Sequence, residues 1–271
     1  MPSRNPATSV FACPHCGSPL VDSGRSAVCP EGHSFDRARE GFLNLLVGGR
    51  LPANSTPGDT AGSLAARRRF LATGAYQPVA DAVATALDGV DGPVLDVGCG
   101  EGWYLSRVDS GSRHGIDISR KAVQMASRAL PDASFAVASA FRLPVLEGSC
   151  AAVFSVFAPH PLGEFNRVLG NDGLWVTATP GPDHLMEMRP AHGTGGRAHE
   201  RFNRRADPPA GATSSTRVHF ALDLTEQTAA DLFTMTPLQW QAGASRTEVR
   251  RVTVDVWVAS AHRDTTLASR S

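Results

Sequence analysis

The sequence predicts an α/β fold, a doubly wound Rossmann-like parallel sheet, preceded by a small cysteine-containing domain. From about residue 63 onward, short apolar runs suited to buried strands alternate with segments of helical period. Strands that alternate with helices are typical of a parallel sheet covered on both faces. Three of the five cysteines fall within the first 29 residues, ahead of this pattern.

The elements follow one another in a regular order. Helical patterning begins near Ser63, and its second segment places Val79, Val83, Ala86 and Leu87 on one face. We then predict a strand, a glycine-rich turn and further alternation, with Ser119 as a helix N-cap. The predicted strands are 93–97, 115–118, 135–138, 151–156, 174–177, 218–222 and 252–258. The predicted later helices are 104–108, 119–130 and 225–233. Residues 189–218 predict an irregular loop.

Composition limits the class of protein. Lys+Arg and Asp+Glu are both 26, so the formal net charge is zero. That balance argues against binding to nucleic acid through bulk charge. No apolar run approaches the ~18–20 residues that cross a bilayer, and residues 1–10 lack the pattern of a secretory signal. We expect a cytoplasmic protein without a membrane partner.

A metal site is predicted near the N-terminus. Cys13-x-x-Cys16 followed by Cys29-x-x-x-His33 gives four ligands at the spacing of a structural Zn²⁺ site. A lone Cys-x-x-Cys could be a redox pair, but the second pair favours zinc. With four protein ligands no coordination position is open, so the ion is structural. His15, inside the first knuckle, is a poor ligand candidate.

These patterns divide the chain into four parts. A zinc-binding module covers residues 1–36, and a linker rich in turn formers covers 37–62. The α/β domain covers 63–263. A frayed tail covers 264–271.

The main candidate site is the turn after the strand at 93–97. Its Gly98-x-Gly100-x-Gly102 lets the backbone approach a ligand closely. A dinucleotide site is the alternative, but that motif reads Gly-x-Gly-x-x-Gly. Asp96, just before the turn, can hold an ammonium group or a turn amide. Methionine carries such an ammonium whereas a pyrophosphate does not, which favours S-adenosyl-L-methionine.

Two later positions extend this hypothesis. Asp117 ends the next strand at a spacing near the ~20 residues at which a carboxylate binds a ribose diol. Its alternative role is an ordinary helix cap. Phe141 follows the third strand, where an adenine edge would lie, or belongs to the core. Cys99 is interpreted as a small buried residue.

Together these motifs resemble a known family. The segments that carry the resemblance are the Cys/His module, 35–46, 67–78, 96–102, 142–144, 178–187 and 235–237. They are similar to the RlmA-type 23S rRNA (guanine-N1-)-methyltransferases, including the branch that confers resistance to tylosin and mycinamicin. The sequence departs from the housekeeping pattern at residues 158–161 and 189–220.

The resemblance implies a class I methyltransferase domain that uses S-adenosyl-L-methionine. It also implies a zinc domain that helps hold an RNA hairpin, and a homodimer. The target implied is N1 of a guanosine in hairpin 35 of 23S rRNA, position 748 in preference to 745. Gly100, Glu101, Tyr76 and His184 are implied to contact the methyl donor. Alternatively, Tyr76 packs beneath a helix and His184 caps a turn.

Proton removal from guanine N1 needs an acceptor, for which His160 and Asp183 are candidates alongside a purely structural role. Arg67, Arg68 and Arg69 could contact phosphate, although a helix lets at most two of them face the same way. Two competing classes remain open. One is a methyltransferase of small molecules, and the other is a non-catalytic RNA-binding protein with a relic cofactor fold.

Overall fold

A computed structural model describes residues 9–47, 60–189, 207–240 and 249–264. The chain forms two compact units, each discontinuous in sequence. The first comprises residues 1–58, 87–176 and 262–271, and the second comprises 59–86 and 177–261. Most of the predicted loop at 189–218, part of the predicted linker, and the tail from residue 265 lie outside the described residues.

The strands are β1 Val21–Asp22, β2 Ser26–Val28, β3 Ser34–Asp36, β4 Leu43–Asn44, β5 Pro93–Val97, β6 Ser112–Asp117, β7 Ser134–Val137, β8 Cys150–Val156, β9 Leu169–Pro180, β10 Ser214–Asp223 and β11 Arg251–His262. The helices are α1 Ala61–Ala72, α2 Gln77–Ala86, α3 Arg120–Ala129, α4 Leu162–Val168 and α5 Glu226–Met235. None of the helices that the structure describes combines the length and apolar character needed to cross a bilayer.

The first unit contains a mostly parallel sheet with the strand order β9-β8-β5-β6-β7-β4. Strand β5 pairs in parallel with both β6 and β8, and its interior residues are buried. Because β5 is central and enclosed on both faces, its sequence is a nearly continuous apolar run. This arrangement confirms the predicted Rossmann-like α/β sheet. It also brings the carboxyl ends of β5 and β6 side by side.

The cysteine-containing segment is a three-stranded antiparallel sheet, β1-β2-β3. Backbone hydrogen bonds attach its start to the loop after β7, from Ala12 N–H to the Pro144 carbonyl (2.9 Å) and from Leu146 N–H to the Val10 carbonyl (2.9 Å). Within the range predicted as linker, Leu43–Asn44 form β4, which pairs in parallel with β7. The segment that carries the small sheet is therefore bound to the rest of this unit both before β1 and after β3.

The helix predicted at 104–108 is wrong, since the segment forms only a 3-10 turn, Leu105–Arg107. The Trp103 carbonyl accepts hydrogen bonds from the Ser106 hydroxyl and the Arg107 guanidinium, both at 2.7 Å. These side-chain donors compete with the backbone N–H groups that would continue a helix. Val108 is already extended, so the turn ends there. By contrast, Ser119 caps α3 as predicted, with its side chain accepting from Ala122 N–H.

The second unit pairs α1 with α5 and β10 with β11. Strands β10 and β11 are antiparallel over ten residue pairs, from Ser214↔Ser260 to Asp223↔Arg251. The alternating valines of β11, predicted from period two, are all buried: Val252, Val254, Val256 and Val258. Arg69 on α1 donates two hydrogen bonds to the buried carboxylate of Asp231 on α5, at 3.1 and 2.5 Å. That ion pair engages Arg69, one of the three arginines considered for contact with phosphate.

Candidate functional site

The structure brings the four predicted zinc ligands together. The Sγ atoms of Cys13, Cys16 and Cys29 and a ring nitrogen of His33 all lie within 4.8 Å of one another. The Cys16 and Cys29 sulfurs are 3.6 Å apart, and His33 Nδ1 is 3.3 Å from Cys29 Sγ. A tetrahedron with Zn–S bonds of about 2.3 Å requires sulfur atoms about 3.8 Å apart. The donor set therefore fits a tetrahedral Zn²⁺ in both chemistry and size.

The surroundings of this cluster act in opposite directions on two of its thiols. Hydrogen bonds from Ser18 lower the pKa of the Cys16 thiol to about 6, while burial raises the pKa of Cys13. His15 lies outside the cluster, as predicted, with its ring 5.0 Å from that of His33 and stacked 5.9 Å from Phe35. It packs over the ribbon and contributes no ligand atom to this group.

The glycine-rich turn at the end of β5 has an unusual backbone. Gly98, Gly100 and Gly102 all have positive φ, at 81°, 54° and 81°. A Cβ on Gly98 would lie 2.3 Å from the Cβ of Ala158. Glycine is thus required at Gly98 both by its left-handed conformation and by the closeness of the loop after β8. Its N–H donates to the Ile116 carbonyl at 2.7 Å, which ties the turn to β6.

Two acidic side chains flank this turn, and they differ in their hydrogen bonding. Asp117 Oδ2 accepts from Gly100 N–H (3.0 Å), and its Oδ1 accepts from Ser119 N–H (2.7 Å). Asp96 is buried, and its Oδ2 has no hydrogen-bond partner among the described residues. Burial, and then the charge of Asp117, raise the pKa of Asp96 well above its usual value. A buried acceptor without a partner fits a ligand that brings its own donor or positive charge.

The loop after β8, which lies close to the glycine turn, is held by contacts among its own residues. Phe157 has a positive φ of 54°, and the Ser155 hydroxyl lies 3.2 Å from the Ala158 carbonyl and 3.4 Å from that of Pro159. His160 Nδ1 lies 3.3 Å from the Ala158 carbonyl. A carbonyl only accepts, so Nδ1 must carry the proton in this contact. With the proton on Nδ1, the lone pair of the neutral form of this ring is on Nε2, as a proton acceptor requires.

The second unit holds the other two residues implied to contact the donor. Tyr76 and His184 are both buried, and the Tyr76 hydroxyl lies 3.5 Å from His184 Nε2. Burial raises the pKa of Tyr76, so its hydroxyl stays protonated. The structure brings this pair together. The two residues are 108 positions apart in the sequence, so no local pattern indicates the contact.

Asp183, the second candidate acceptor, belongs to an ion-pair cluster. Its carboxylate lies 3.2 Å from Arg217 Nη2 and 3.9 Å from His219 Nε2. The Asp183 carboxylate is therefore already engaged by charged and ring N–H donors of β10. Phe141 is 70% exposed, so the alternative that it belongs to the core is wrong.

Sequence reasoning missed Asp255, which is fully buried on β11 and bonded to Arg217. The one available signal was an acidic residue at the centre of an alternating valine run, because an unpaired charge is rarely buried there. It also missed Ala158, whose Cβ leaves no space for a side chain at position 98.

The fold and this site define an α/β methyltransferase with an N-terminal zinc ribbon, and comparison with known proteins agrees. Residues 11–48 match the family model described as RlmA, N-terminal, a zinc ribbon, and residues 94–173 match a methyltransferase domain. The domain implies S-adenosyl-L-methionine as the methyl donor, and the ribbon implies structural zinc.

Three relatives cover most of the chain. A Micromonospora griseorubida protein, named "Putative 23S rRNA (guanine-N(1)-)-methyltransferase", is 36% identical and covers 88% of this chain and 89% of its own. A Bacillus subtilis protein of the same description is 32% identical over 92% and 95%. The 23S rRNA (guanine(748)-N(1))-methyltransferase of Streptomyces fradiae is 38% identical over 70% of each chain. The chain belongs to the family of 23S rRNA (guanine-N1-)-methyltransferases.

Proposed function

We propose that this protein transfers a methyl group from S-adenosyl-L-methionine to N1 of a guanosine in hairpin 35 of 23S rRNA, at position 748, and so confers resistance to tylosin- and mycinamicin-type macrolides. The observation that carries the proposal is the 38% identity to the guanine(748)-N1 enzyme of Streptomyces fradiae. The glycine turn with its buried acid supports the same reaction, since it offers a place for a cationic donor.

The chain's residues have distinct roles in this proposal. The backbone of Gly98, Gly100 and Gly102 allows close approach of the donor. Asp96 Oδ2, which has no partner among the described residues, receives a hydrogen bond from the donor's ammonium group. In this proposal the Asp117 carboxylate accepts from the ribose hydroxyls. Four further residues complete the proposed set: Glu101 in the turn, Tyr76 and His184 in the second unit, and His160 as proton acceptor.

The donor supplies an electrophilic methyl group, so positioning contributes most of the catalysis. Guanine N1 carries a proton at neutral pH, and a base must receive it as the methyl–nitrogen bond forms. His160 suits this task because its Nδ1 is held by the Ala158 carbonyl and its Nε2 keeps the lone pair. We expect His160→Gln to lower kcat about 10²- to 10⁴-fold while donor affinity stays unchanged.

The target position is tested by primer extension on 23S rRNA from cells with and without this protein. N1 methylation blocks the pairing edge, so a new stop at position 748 supports the proposal. A stop at position 745 would mean that the protein methylates that guanosine instead. An unchanged pattern would reject the target altogether. The matched control is a strain that expresses Asp96→Asn at the same level, in which we expect no new stop.

The rRNA of these strains, together with assays on the purified protein, separates the two competing classes. A small-molecule methyltransferase would leave the rRNA pattern unchanged while purified protein still consumes the donor with metabolites. A non-catalytic RNA-binding protein would shift the RNA in a binding assay without consuming donor.

We also propose the homodimer that the family resemblance implies. Light scattering of the purified protein should then give about twice the mass of one chain, which is 28.6 kDa.

A further inference from the structure

We propose that Asp255 is a positioning residue, which holds residues 181–184 in place and makes the His184 ring a hydrogen-bond donor toward an acceptor atom of the methyl donor. The carboxylate or a ribose hydroxyl of S-adenosyl-L-methionine offers such an acceptor. This inference rests on the proposed function, because it assigns a chemical role to His184 in donor binding. Every contact that carries it lies within the second unit.

The carboxylate of Asp255 is fully buried and fully engaged. Arg217 donates from Nε to Oδ1 at 2.7 Å and from Nη2 to Oδ2 at 3.0 Å. Asp183 N–H donates to the same Oδ2 at 2.9 Å. Burial alone would raise the pKa of Asp255, but the hydrogen bonds from Arg217 and Asp183 N–H outweigh it and lower the pKa. The group is therefore ionised at neutral pH and holds both partners through charge-assisted bonds.

The chain at Gly181 lies directly on this carboxylate. A Cβ at Gly181 would come within 2.3 Å of Asp255 Oδ2, so no larger residue fits there. Gly181 N–H donates to the backbone carbonyl of Asp255 at 2.8 Å, and His184 N–H donates to the Gly181 carbonyl at 3.3 Å. Both the side chain and the backbone of Asp255 thus fix the path of the chain that leads to His184.

The backbone N–H of Asp255 also determines the state of the His184 ring. It donates to His184 Nδ1 at 3.3 Å, so Nδ1 must carry a lone pair. The ring proton is then on Nε2, the nitrogen that lies 3.5 Å from the Tyr76 hydroxyl. Protonating Nδ1 would set two N–H groups against each other. His184 is accordingly a neutral ring that donates from Nε2, and this excludes it as the base.

The test compares Asp255→Asn with wild type and with Asp223→Asn. Asp223 lies on β10 with its side chain 83% exposed and 3.7 Å from the likewise solvent-exposed Arg251. Calorimetry with S-adenosylhomocysteine measures donor-site affinity. We expect Asp255→Asn to weaken binding about tenfold or more, which corresponds to the loss of one charge-assisted hydrogen bond. We expect the control to stay within about twofold of wild type.

Nitrogen-15 spectra of the histidine rings provide a readout that a merely structural role would not change. The His184 signals are assigned by their loss in His184→Gln. In wild type we expect an unprotonated Nδ1 and a protonated Nε2. In Asp255→Asn we expect a mixture of the two tautomers, because residues 181–184 are no longer held.

The outcomes separate the two proposals. If wild type binds the probe but Asp255→Asn binds it equally well with unchanged ring signals, the positioning role is wrong and the proposed function stands. A wild-type His184 ring protonated at Nδ1 also overturns it, even if Asp255→Asn does not fold. If metal-loaded wild type fails to bind the probe at all, the proposed function itself is wrong.

Discussion

The substitution Gly98→Ala tests the geometry of the donor turn in two separable ways. Residue 98 has a φ of +81°, and an L-residue in the left-handed region costs about 1–2 kcal/mol. The new Cβ would also lie 2.3 Å from the Cβ of Ala158, far inside the ~3.5–4.0 Å at which carbon atoms pack. Overpacking of this kind costs about 1–3 kcal/mol. We therefore expect the free energy of unfolding to fall by about 2–5 kcal/mol.

Urea denaturation followed by fluorescence measures this loss, and a second substitution separates its two parts. In a double-mutant cycle with Ala158→Gly, the clash disappears but the strained φ remains, so we expect a favourable coupling of about 1–3 kcal/mol. The control is Gly111→Ala, whose Cβ would meet nothing within 4 Å, with an expected change below about 0.5 kcal/mol. A Gly98→Ala protein as stable as this control would refute the proposed contact between the loop and the turn.

Three further predictions concern the acid, the metal and the pH dependence of stability. Asp96→Asn should raise the Kd for S-adenosylhomocysteine at least about tenfold by calorimetry, with the exposed Asp109→Asn near wild type; equal affinities would remove Asp96 from the site. Cys29→Ser should lose the one zinc ion per chain in elemental analysis, whereas Cys150→Ser keeps it; zinc retained in Cys29→Ser would contradict the assigned ligands. Burial lowers the pKa of His114 to about 4, so as pH falls below ~6.5 the unfolded chain takes up the proton first and stability is lost between about pH 6.5 and 4, by up to about 3 kcal/mol. His114→Gln should flatten this part of the pH profile, and an unchanged slope would contradict the assignment.

The sequence predicted the elements whose signal is local. Strands β5 and β8 were found because buried parallel strands are continuous apolar runs. Strand β11 was found from the period-two alternation of its valines, and helix α3 because Ser119 has the position of an N-cap. The zinc cluster was found for a similar reason, since its spacing alone lets four ligands converge. Boundaries were less exact: β6 and β10 begin three and four residues earlier than predicted, because the residues at their starts are polar and lack the apolar pattern.

The features that sequence reasoning missed depend on contacts between distant residues. Strand β4 has only two residues, too few for any periodic signal, and it forms by pairing with β7. The role of Asp255 depends on Arg217, 38 residues away, and on Gly181 from another segment. Ala158 restricts Gly98 only because the loop after β8 bends back. Such contacts follow from the register of the sheet, which no local pattern encodes.

The central claim, methyl transfer to guanine N1 in 23S rRNA, is tested most directly by following the methyl group itself. Purified, zinc-loaded protein is incubated with 23S rRNA and S-adenosyl-L-methionine labelled in its methyl group, and the digested nucleosides are analysed by mass spectrometry. We predict that the label appears in 1-methylguanosine, close to one per rRNA molecule, and that Asp96→Asn leaves the RNA unlabelled. Label in another nucleoside, or none in RNA that the protein binds, would contradict the account.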